Sequence, residues 1–298
     1  MPAWTVKRLL EWGIEYFSQK QVSQPRLSAE LLLSSVLNLS RMKLYLNYDY
    51  QLSEPELKQF KKLILKRLDH VPIQYILGQA HFRNISLKVN SQVLIPRPET
   101  ELLVDKALEI ITDLKPSKIN ILEVGTGSGA IAISLAQEIA EDIDINLVAT
   151  DNSSQAIELA TENAEAVLGS KATKIEFITA DVVPGDSKFL EKYRQKINVV
   201  ISNPPYISEE NYKQLDREIT EYEPRNALVG GATGSEAYEH IFEAVKPLLS
   251  DSCGYLVLEV DPLVSDKARD LCRNIINPVS VEIKKDYNQK DRILLART

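Results

Sequence analysis

Leu122-Glu123-Val124-Gly125-Thr126-Gly127-Ser128-Gly129-Ala130 is the stretch on which the fold turns. It closes an apolar run over 119–124 and opens a helical pattern over 130–139. Strand, glycine-rich turn and helix in that order begin an open α/β sheet, because glycines let the backbone turn tightly and approach a ligand. Downstream, apolar strands are predicted at 146–150, 174–179, 197–202 and 254–260, with helices at 154–168 and 236–249. Such alternation predicts a mostly parallel sheet with helices on both faces. Two further strand-like pieces, 280–283 and 292–296, are joined by a short polar stretch and read as a closing antiparallel hairpin. That makes seven strands in all.

Upstream the texture is helical. Val6, Leu9, Leu10, Ile14 and Phe17 share one face at helical spacing, as do Ala29, Leu32, Leu33, Val36 and Leu37. Ser53-Glu54-Pro55-Glu56 has the form of a capping box, followed by an apolar face of Leu57, Phe60, Ile64 and Leu68. These pieces predict a small all-α bundle ending near His70. Phe82, Ile85, Leu87, Val89, Val93 and Ile95 then alternate with polar residues and turn formers, as in a β-hairpin. Pro98 is placed to open a helix carrying Leu102, Leu103, Ala107 and Ile110. The expected organisation is a helical domain over 1–72, a connector with a hairpin over 73–97, and an α/β domain over 98–298.

Composition narrows the function. Of 298 residues, 44% are hydrophobic and 26% charged, the profile of a globular protein. The formal net charge of −7 points away from a polyanionic partner, so no stable nucleic-acid binding is expected. The basic run Lys58, Lys61, Lys62, Lys66 and Arg67 reads as a solvated helix face. Two cysteines, Cys253 and Cys272, and three scattered histidines suggest neither a disulfide framework nor a metal site. With no signal-like segment and no apolar run of membrane-spanning length, a soluble cytoplasmic protein is expected.

The glycine loop alone also fits a dinucleotide fingerprint, and Asp151, ending the next strand, suits a ribose hydroxyl in either case. Glu123, directly before the loop, tilts the choice. A carboxylate there repels a pyrophosphate but suits S-adenosylmethionine, whose sulfonium and ammonium are cationic. Asp181-Val182, after the third strand, stands at the level for adenine contacts, although Asp181 also suits a turn cap. The expected cofactor set is thus Glu123, Gly125, Thr126, Gly127, Ser128, Gly129, Asp151, Asp181 and Val182.

Asn203-Pro204-Pro205-Tyr206 follows the strand at 197–202, so it should lie beside the cofactor loop at the carboxyl ends of the strands. A planar NH2 nitrogen is a poor nucleophile because its lone pair is delocalised. The Asn203 side-chain oxygen can accept one of its N–H groups and the Pro204 carbonyl the other. Proline carries no competing N–H, and a residue preceding proline is held extended. Tyr206 offers a flat face to the substrate group. The predicted chemistry is methylation of a planar NH2, driven by positioning, with Asn203, Pro204 and Tyr206 as its catalytic residues and Asn203 also meeting the cofactor.

These residues resemble class I methyltransferases of amide or amine nitrogen. More specifically, the chain is similar over nearly its whole length to the HemK/PrmC family, the protein-(glutamine-N5) methyltransferases of peptide chain release factors. Residues 72–78, Leu94-Ile95-Pro96-Arg97-Pro98-Glu99-Thr100-Glu101, Glu223-Pro224, Ala227-Leu228, Gly230-Gly231, Asp286 and Asp291-Arg292 carry the likeness. It implies a Rossmann-like class I fold, S-adenosylmethionine as cofactor, and the glutamine of a Gly-Gly-Gln motif in class-1 release factors as the methylated group. It also implies that Pro204, Pro205 and Tyr206 line the glutamine pocket with Asn203, that Glu99 borders it, and that the helical domain helps to hold the release factor. A monomer suffices. After Leu258-Glu259 the family pattern breaks, with Val260-Asp261-Pro262 in place of a glycine, which bears on the start of the next helix. Three other readings stay open: a glutamine methyltransferase of a ribosomal protein, a DNA adenine-N6 methyltransferase, and a non-catalytic module on the same fold.

Overall fold

The computed structural model describes residues 3–298, so the first two residues of the expected helical segment lie outside it. Two compact units emerge: residues 1–78 with 216–222, and residues 79–215 with 223–298.

The first unit is helical. It contains α1 (Val6–Gln19), α2 (Pro25–Leu37), α3 (Arg41–Leu46), α4 (Glu54–Leu68), the short α5 (Ile73–Leu77) and a helical turn at Arg217–Thr220. The predicted apolar faces pack together, with Val6, Leu10, Phe17, Leu32, Leu33, Phe60 and Ile64 all buried. The predicted capping box is present: Glu56 accepts from both the backbone N–H and the hydroxyl of Ser53, each at 2.7 Å. One expectation is corrected here. Lys58, Lys61, Lys62 and Lys66 are solvated, but Arg67 is buried and spans the unit. It donates to Ser28 Oγ, to the Ser23 and Val71 carbonyls, and to Glu218 at 2.7 Å. A buried guanidinium needs that full set of acceptors.

The second unit opens with the hairpin β1 (Gln79–Phe82) and β2 (Ile85–Lys88), and α6 (Glu101–Leu114) follows a single 3-10 turn at Pro98–Thr100. Then come β3 (Lys118–Val124), α7 (Ala130–Glu138), β4 (Asp144–Asp151), α8 (Ser154–Leu168), β5 (Ile175–Thr179), α9 (Ser187–Tyr193) and β6 (Val199–Ser202). After β6 stand the one-turn helices α10 (Glu209–Tyr212) and α11 (Arg217–Thr220), the latter counted with the first unit. The chain ends with α12 (Glu236–Val245), β7 (Tyr255–Glu259), α13 (Ser265–Ile275), β8 (Ser280–Lys285) and β9 (Asp291–Arg297). The sheet has the order β5-β4-β3-β6-β7-β9-β8, parallel except for the β9 pairings, which form the predicted antiparallel hairpin.

Both faces of the sheet are buried, and the pleat divides its side chains between two cores. Ile119, Ile121, Leu147, Ala149, Val199, Ile201 and Val257 face one core, with α6 and α7. Leu122, Val124, Val148, Val200, Leu256 and Leu258 face the other, with α12 and α13. Helix α7 is buried at every position from Ala130 to Ala136, the pattern of a helix wedged against a sheet. The predicted 236–249 helix stops at Val245, and α5, α9 and α13 lie beyond what the periodicity predicts. Where the family pattern breaks, Asp261 forms an Asx turn to the Leu263 N–H at 2.8 Å, and α13 begins at Ser265 after Val264, whose side chain makes no cap bond. No helix among the described residues is long and apolar enough to cross a membrane.

Gly129 sets the contact between α7 and α8. Its φ is +84°, and a Cβ there would stand 2.8 Å from Ile133 Cδ1 and 3.3 Å from Ala160 Cβ. Gly129→Ala combines left-handed strain with overpacking and is expected to lower unfolding stability by about 2–4 kcal/mol in urea denaturation. An unchanged midpoint would show that α7 is free to shift.

Candidate active site

The site starts from strand register. Val124 pairs with Thr150 on one side and with Ser202 on the other, so β3, β4 and β6 end level on one edge of the sheet. Side chains lock that edge. Ser202 Oγ donates to the Val124 carbonyl at 2.7 Å, and Thr150 Oγ1 to the Val182 carbonyl at 2.7 Å. Above it lies a cleft bordered by the glycine loop, Asp151, Asp181, Val182, Thr100 and residues 202–205.

Within the loop, Gly125 and Gly127 have φ of +74° and +55°, with open space where a Cβ would stand. They serve conformation, whereas Gly129 serves packing and does not line the cleft. The N–H groups of Gly125 and Thr126 both donate to the Thr150 carbonyl at 2.9 Å. Asp151 holds the loop from beside it: one carboxylate oxygen accepts from the Gly127 N–H and the other from the Ser153 N–H, each at 2.9 Å. Burial pushes its pKa up against those two bonds.

Glu123 is 1% exposed yet lines the cleft. Its Oε2 accepts from Thr126 Oγ1 at 2.8 Å and from the Ala132 N–H at 3.1 Å, while Oε1 has no partner among the described residues. Burial pushes the carboxyl up to about 8, against the Thr126 and Ala132 bonds. A buried polar atom without a partner calls for one. A cationic group in the cleft would satisfy it, so these residues fit a ligand bearing an ammonium. Asp181 is largely exposed at the rim, where it meets His240 Nε2 at 2.8 Å, and Val182 is buried behind it.

Asn203, Pro204 and Pro205 line the cleft beside the loop. Asn203 is tied back by a network that the sequence does not disclose. Its Nδ2 donates to Thr100 Oγ1 at 3.1 Å, and Thr100 Oγ1 donates to Glu259 Oε2 at 2.7 Å. Tyr206 donates to the other Glu259 oxygen at 3.3 Å, and Tyr238 to the Glu259 carbonyl at 2.8 Å. Arg292 Nη1 stands 3.8 Å from Glu259 and is itself held by Asp286 at 3.3 Å. Burial pushes the Glu259 carboxyl up, opposed by the Thr100 bond, the Arg292 charge and the Tyr206 bond. Tyr206 is half-buried and is not among the residues that border the cleft, and burial carries its hydroxyl above the usual tyrosine range. Glu99 is exposed and also outside the lining; its neighbour Thr100 is the residue of that segment that reaches the site.

The chain beyond Tyr206 is clasped. Ile207 exchanges backbone bonds with Leu228 and Gly230, at 2.9 and 3.0 Å. Glu223, almost fully buried, accepts from Arg97 at 2.5 Å and from the Ile95 N–H at 3.3 Å. A Cβ on Gly230 would lie 2.3 Å from the Pro205 carbonyl oxygen, and one on Gly234 would lie 2.3 Å from that of Tyr206. Gly230→Ala is therefore expected to lower stability by about 1–3 kcal/mol, read from the denaturation midpoint. Wild-type stability would show that the clasp gives way without strain.

Comparisons with known proteins bear on the family and the fold. Residues 8–78 match the PrmC N-terminal domain and residues 100–228 the methyltransferase small domain. The chain is 39% identical over 295 residues to the release factor glutamine methyltransferase of Chlorobaculum tepidum, covering 97% of this chain and 96% of that protein. It is 34% identical over 292 residues to that of Bacillus cereus, covering 98% of each. Among solved structures, the hMettl16 catalytic domain in complex with the MAT2A 3′UTR hairpin 1 shares the fold with a TM-score of 0.52, at 14% identity and over 85% of this chain and 84% of that one. With its fold, its strand-end cleft and relatives that match it from end to end, the chain belongs to the release factor glutamine methyltransferase family.

Proposed function

We propose that this chain transfers a methyl group from S-adenosylmethionine to the side-chain nitrogen of the glutamine in the Gly-Gly-Gln motif of class-1 release factors, tuning translation termination. The observation that carries the reading is the cleft itself, with Asn203-Pro204-Pro205 beside a glycine loop that holds a buried, half-satisfied carboxylate. Glu123 Oε1 receives the cofactor's ammonium. Asp151 receives the ribose while fixing Gly127. Val182 and Asp181 border the adenine.

When bound, the cofactor supplies an electrophilic methyl carbon: as the nitrogen–carbon bond forms, the carbon–sulfur bond breaks and its electron pair leaves with the sulfur. The chain's own task is to hold the amide. Asn203 Oδ1 accepts one N–H and the Pro204 carbonyl the other, which turns the nitrogen's face toward the methyl group. The methylated nitrogen is acidic and loses its extra proton to water, so no dedicated base is needed.

The helical segment 1–72 holds the release factor, residues 73–97 connect, and 98–298 perform the chemistry. A compact helical unit that ends at Gly78 supports the first boundary, while residues 216–222, counted with that unit, depart from the division. A net charge of −7 favours a protein substrate over a polyanion. The same reading has the enzyme acting as a monomer in the cytoplasm.

Mass spectrometry of release factor after incubation with cofactor and enzyme tests the reading. One methyl group on the Gly-Gly-Gln glutamine is expected, and Asn203→Ala should slow its appearance by at least about a hundredfold while the protein stays folded. Methylation elsewhere, or none with cofactor bound, would overturn it.

Glu123 gives a second test. With its pKa near 8 it is mostly protonated in the free enzyme at neutral pH, and an ammonium partner drives it to the carboxylate. Cofactor binding therefore releases a proton, and affinity rises with pH between about 6 and 7. Calorimetry in buffers of different ionisation enthalpy should detect that proton. Glu123→Gln should abolish both the proton and the slope; a slope that persists would remove Glu123 from the role.

A further inference from the structure

We propose that Glu259 is a positioning residue which, acting through Thr100, fixes the end of the Asn203 amide that faces the substrate. This rests on the reading that Asn203 Oδ1 accepts an N–H of the substrate amide. An asparagine side chain has an acceptor end and a donor end of nearly equal shape. Turned the wrong way, Asn203 would present its own NH2 to the substrate's NH2, donor against donor.

The direction of each bond in the chain Glu259–Thr100–Asn203 decides the matter. The Arg292 guanidinium 3.8 Å away favours the charged form of Glu259, and a carboxylate only accepts. Glu259 Oε2, 2.7 Å from Thr100 Oγ1, therefore takes the single hydroxyl proton of Thr100. With that proton committed, the Thr100 oxygen can only accept toward Asn203, 3.1 Å away. Asn203 must therefore turn its Nδ2 to Thr100, which leaves Oδ1 for the cleft. Thr100 and Glu259 are 4% and 1% exposed, so no bulk water competes to reverse the chain. The second carboxylate oxygen is engaged as well, by the Tyr206 hydroxyl at 3.3 Å with Arg292 at 3.8 Å. One buried carboxylate thus orients Asn203 and anchors Tyr206, the two ends of the chemical tetrapeptide.

Thr100 lies within the segment 94–101 and Glu259 at the end of β7, so the device joins residues 159 apart in sequence. Neither residue has to touch the reacting atoms; the effect reaches them through Asn203.

Three variants test the device, each assayed by steady-state methylation of release factor. Thr100→Val keeps the side-chain shape and deletes the hydroxyl. It is expected to lower kcat by on the order of 10–100-fold while KM for release factor changes by no more than about twofold. Thr100→Ser keeps the hydroxyl and should restore most of the rate, which a purely steric role would not predict. Glu259→Gln can both donate and accept, loses the fixed direction and should fall at least as far as Thr100→Val. Adding Thr100→Val to it should cost little more, because the two act in series. A Thr100→Val enzyme at the wild-type rate, or a Thr100→Ser enzyme as slow as Thr100→Val, would overturn the proposal.

A readout that needs no turnover separates this from failure of the substrate assignment. In protein labelled with 15N-asparagine, the Asn203 side-chain NH2, identified by its loss in Asn203→Ala, should exchange with solvent at least about tenfold faster in Thr100→Val than in wild type and Thr100→Ser. Equal exchange in all three would sink the relay. Wild-type enzyme that shows the protected NH2 but leaves release factor unmethylated would sink the substrate instead.

Discussion

The level ending of β3, β4 and β6 is the constraint from which the rest of the site follows. In a parallel sheet the register is one rigid fact, and here it aligns Thr150, Val124 and Ser202. Because those three residues are level, the glycine loop, Asp151 and Asn203 must emerge side by side. The locking bonds are short-range consequences of that alignment. Thr150 receives two loop N–H groups on its carbonyl and spends its hydroxyl on Val182, so one residue of β4 holds both the cofactor loop and the segment after β5. A slip of one residue would turn every strand side chain to the opposite core. Since both cores are apolar, burial alone would tolerate the exchange, and the bonds of Ser202 to Val124 and of Thr150 to Val182 hold the register.

Against that apolar background, two of the buried acids, Glu259 and Glu123, differ in an instructive way. Glu259 is nearly complete, with two hydroxyl donors and a guanidinium nearby. Glu123 is half complete, with one oxygen occupied and one without a partner. Burying an acid without its partners is unfavourable by amounts that rival the net stability of a domain. The satisfied acid organises the protein's own atoms, whereas on the proposed reading the unsatisfied one receives the cofactor's ammonium.

Much of this was legible in the sequence. Strand ends, the glycine loop and the tetrapeptide are local patterns, so 122–130 and 203–206 could be read without knowing what surrounds them. The helices missed include α5, α9, α10, α11 and α13. All but α13 are short, whereas α13 carries Ala268, Leu271, Cys272 and Ile275 at helical spacing and was as open to reading as the longer helices. Partnerships across the chain were the other gap. Nothing local to Thr100 says that its hydroxyl meets a glutamate 159 residues away, so the sequence points to the charged Glu99 instead. Arg67 was hidden in the same manner, because one buried arginine beside four exposed lysines looks like a fifth member of a solvated run. The signal available for Thr100 was its place inside the segment 94–101. A hydroxyl between two acids at a helix start has a capping role to offer, and that local role masks a distant one.

Methylation of an amide nitrogen makes the wiring behind Asn203 matter more than its mere presence. The substrate nitrogen is weakly nucleophilic, and the site offers no strong base, so rate must come from how well two N–H groups are held at the moment of transfer. On the proposed reading, Pro204 contributes a carbonyl that cannot be misread, since a backbone oxygen has no alternative face. Asn203 contributes one that can be, since its amide turns. The structure treats the two differently. The backbone around Pro205 and Tyr206 is clamped by contact with Gly230 and Gly234, where no side chain would fit. The Asn203 side chain is held instead by a directed pair of hydrogen bonds that ends on a buried acid. Shape is enough to place a carbonyl; an amide also needs a direction, and only a chain of donors and acceptors with a fixed end can give it one.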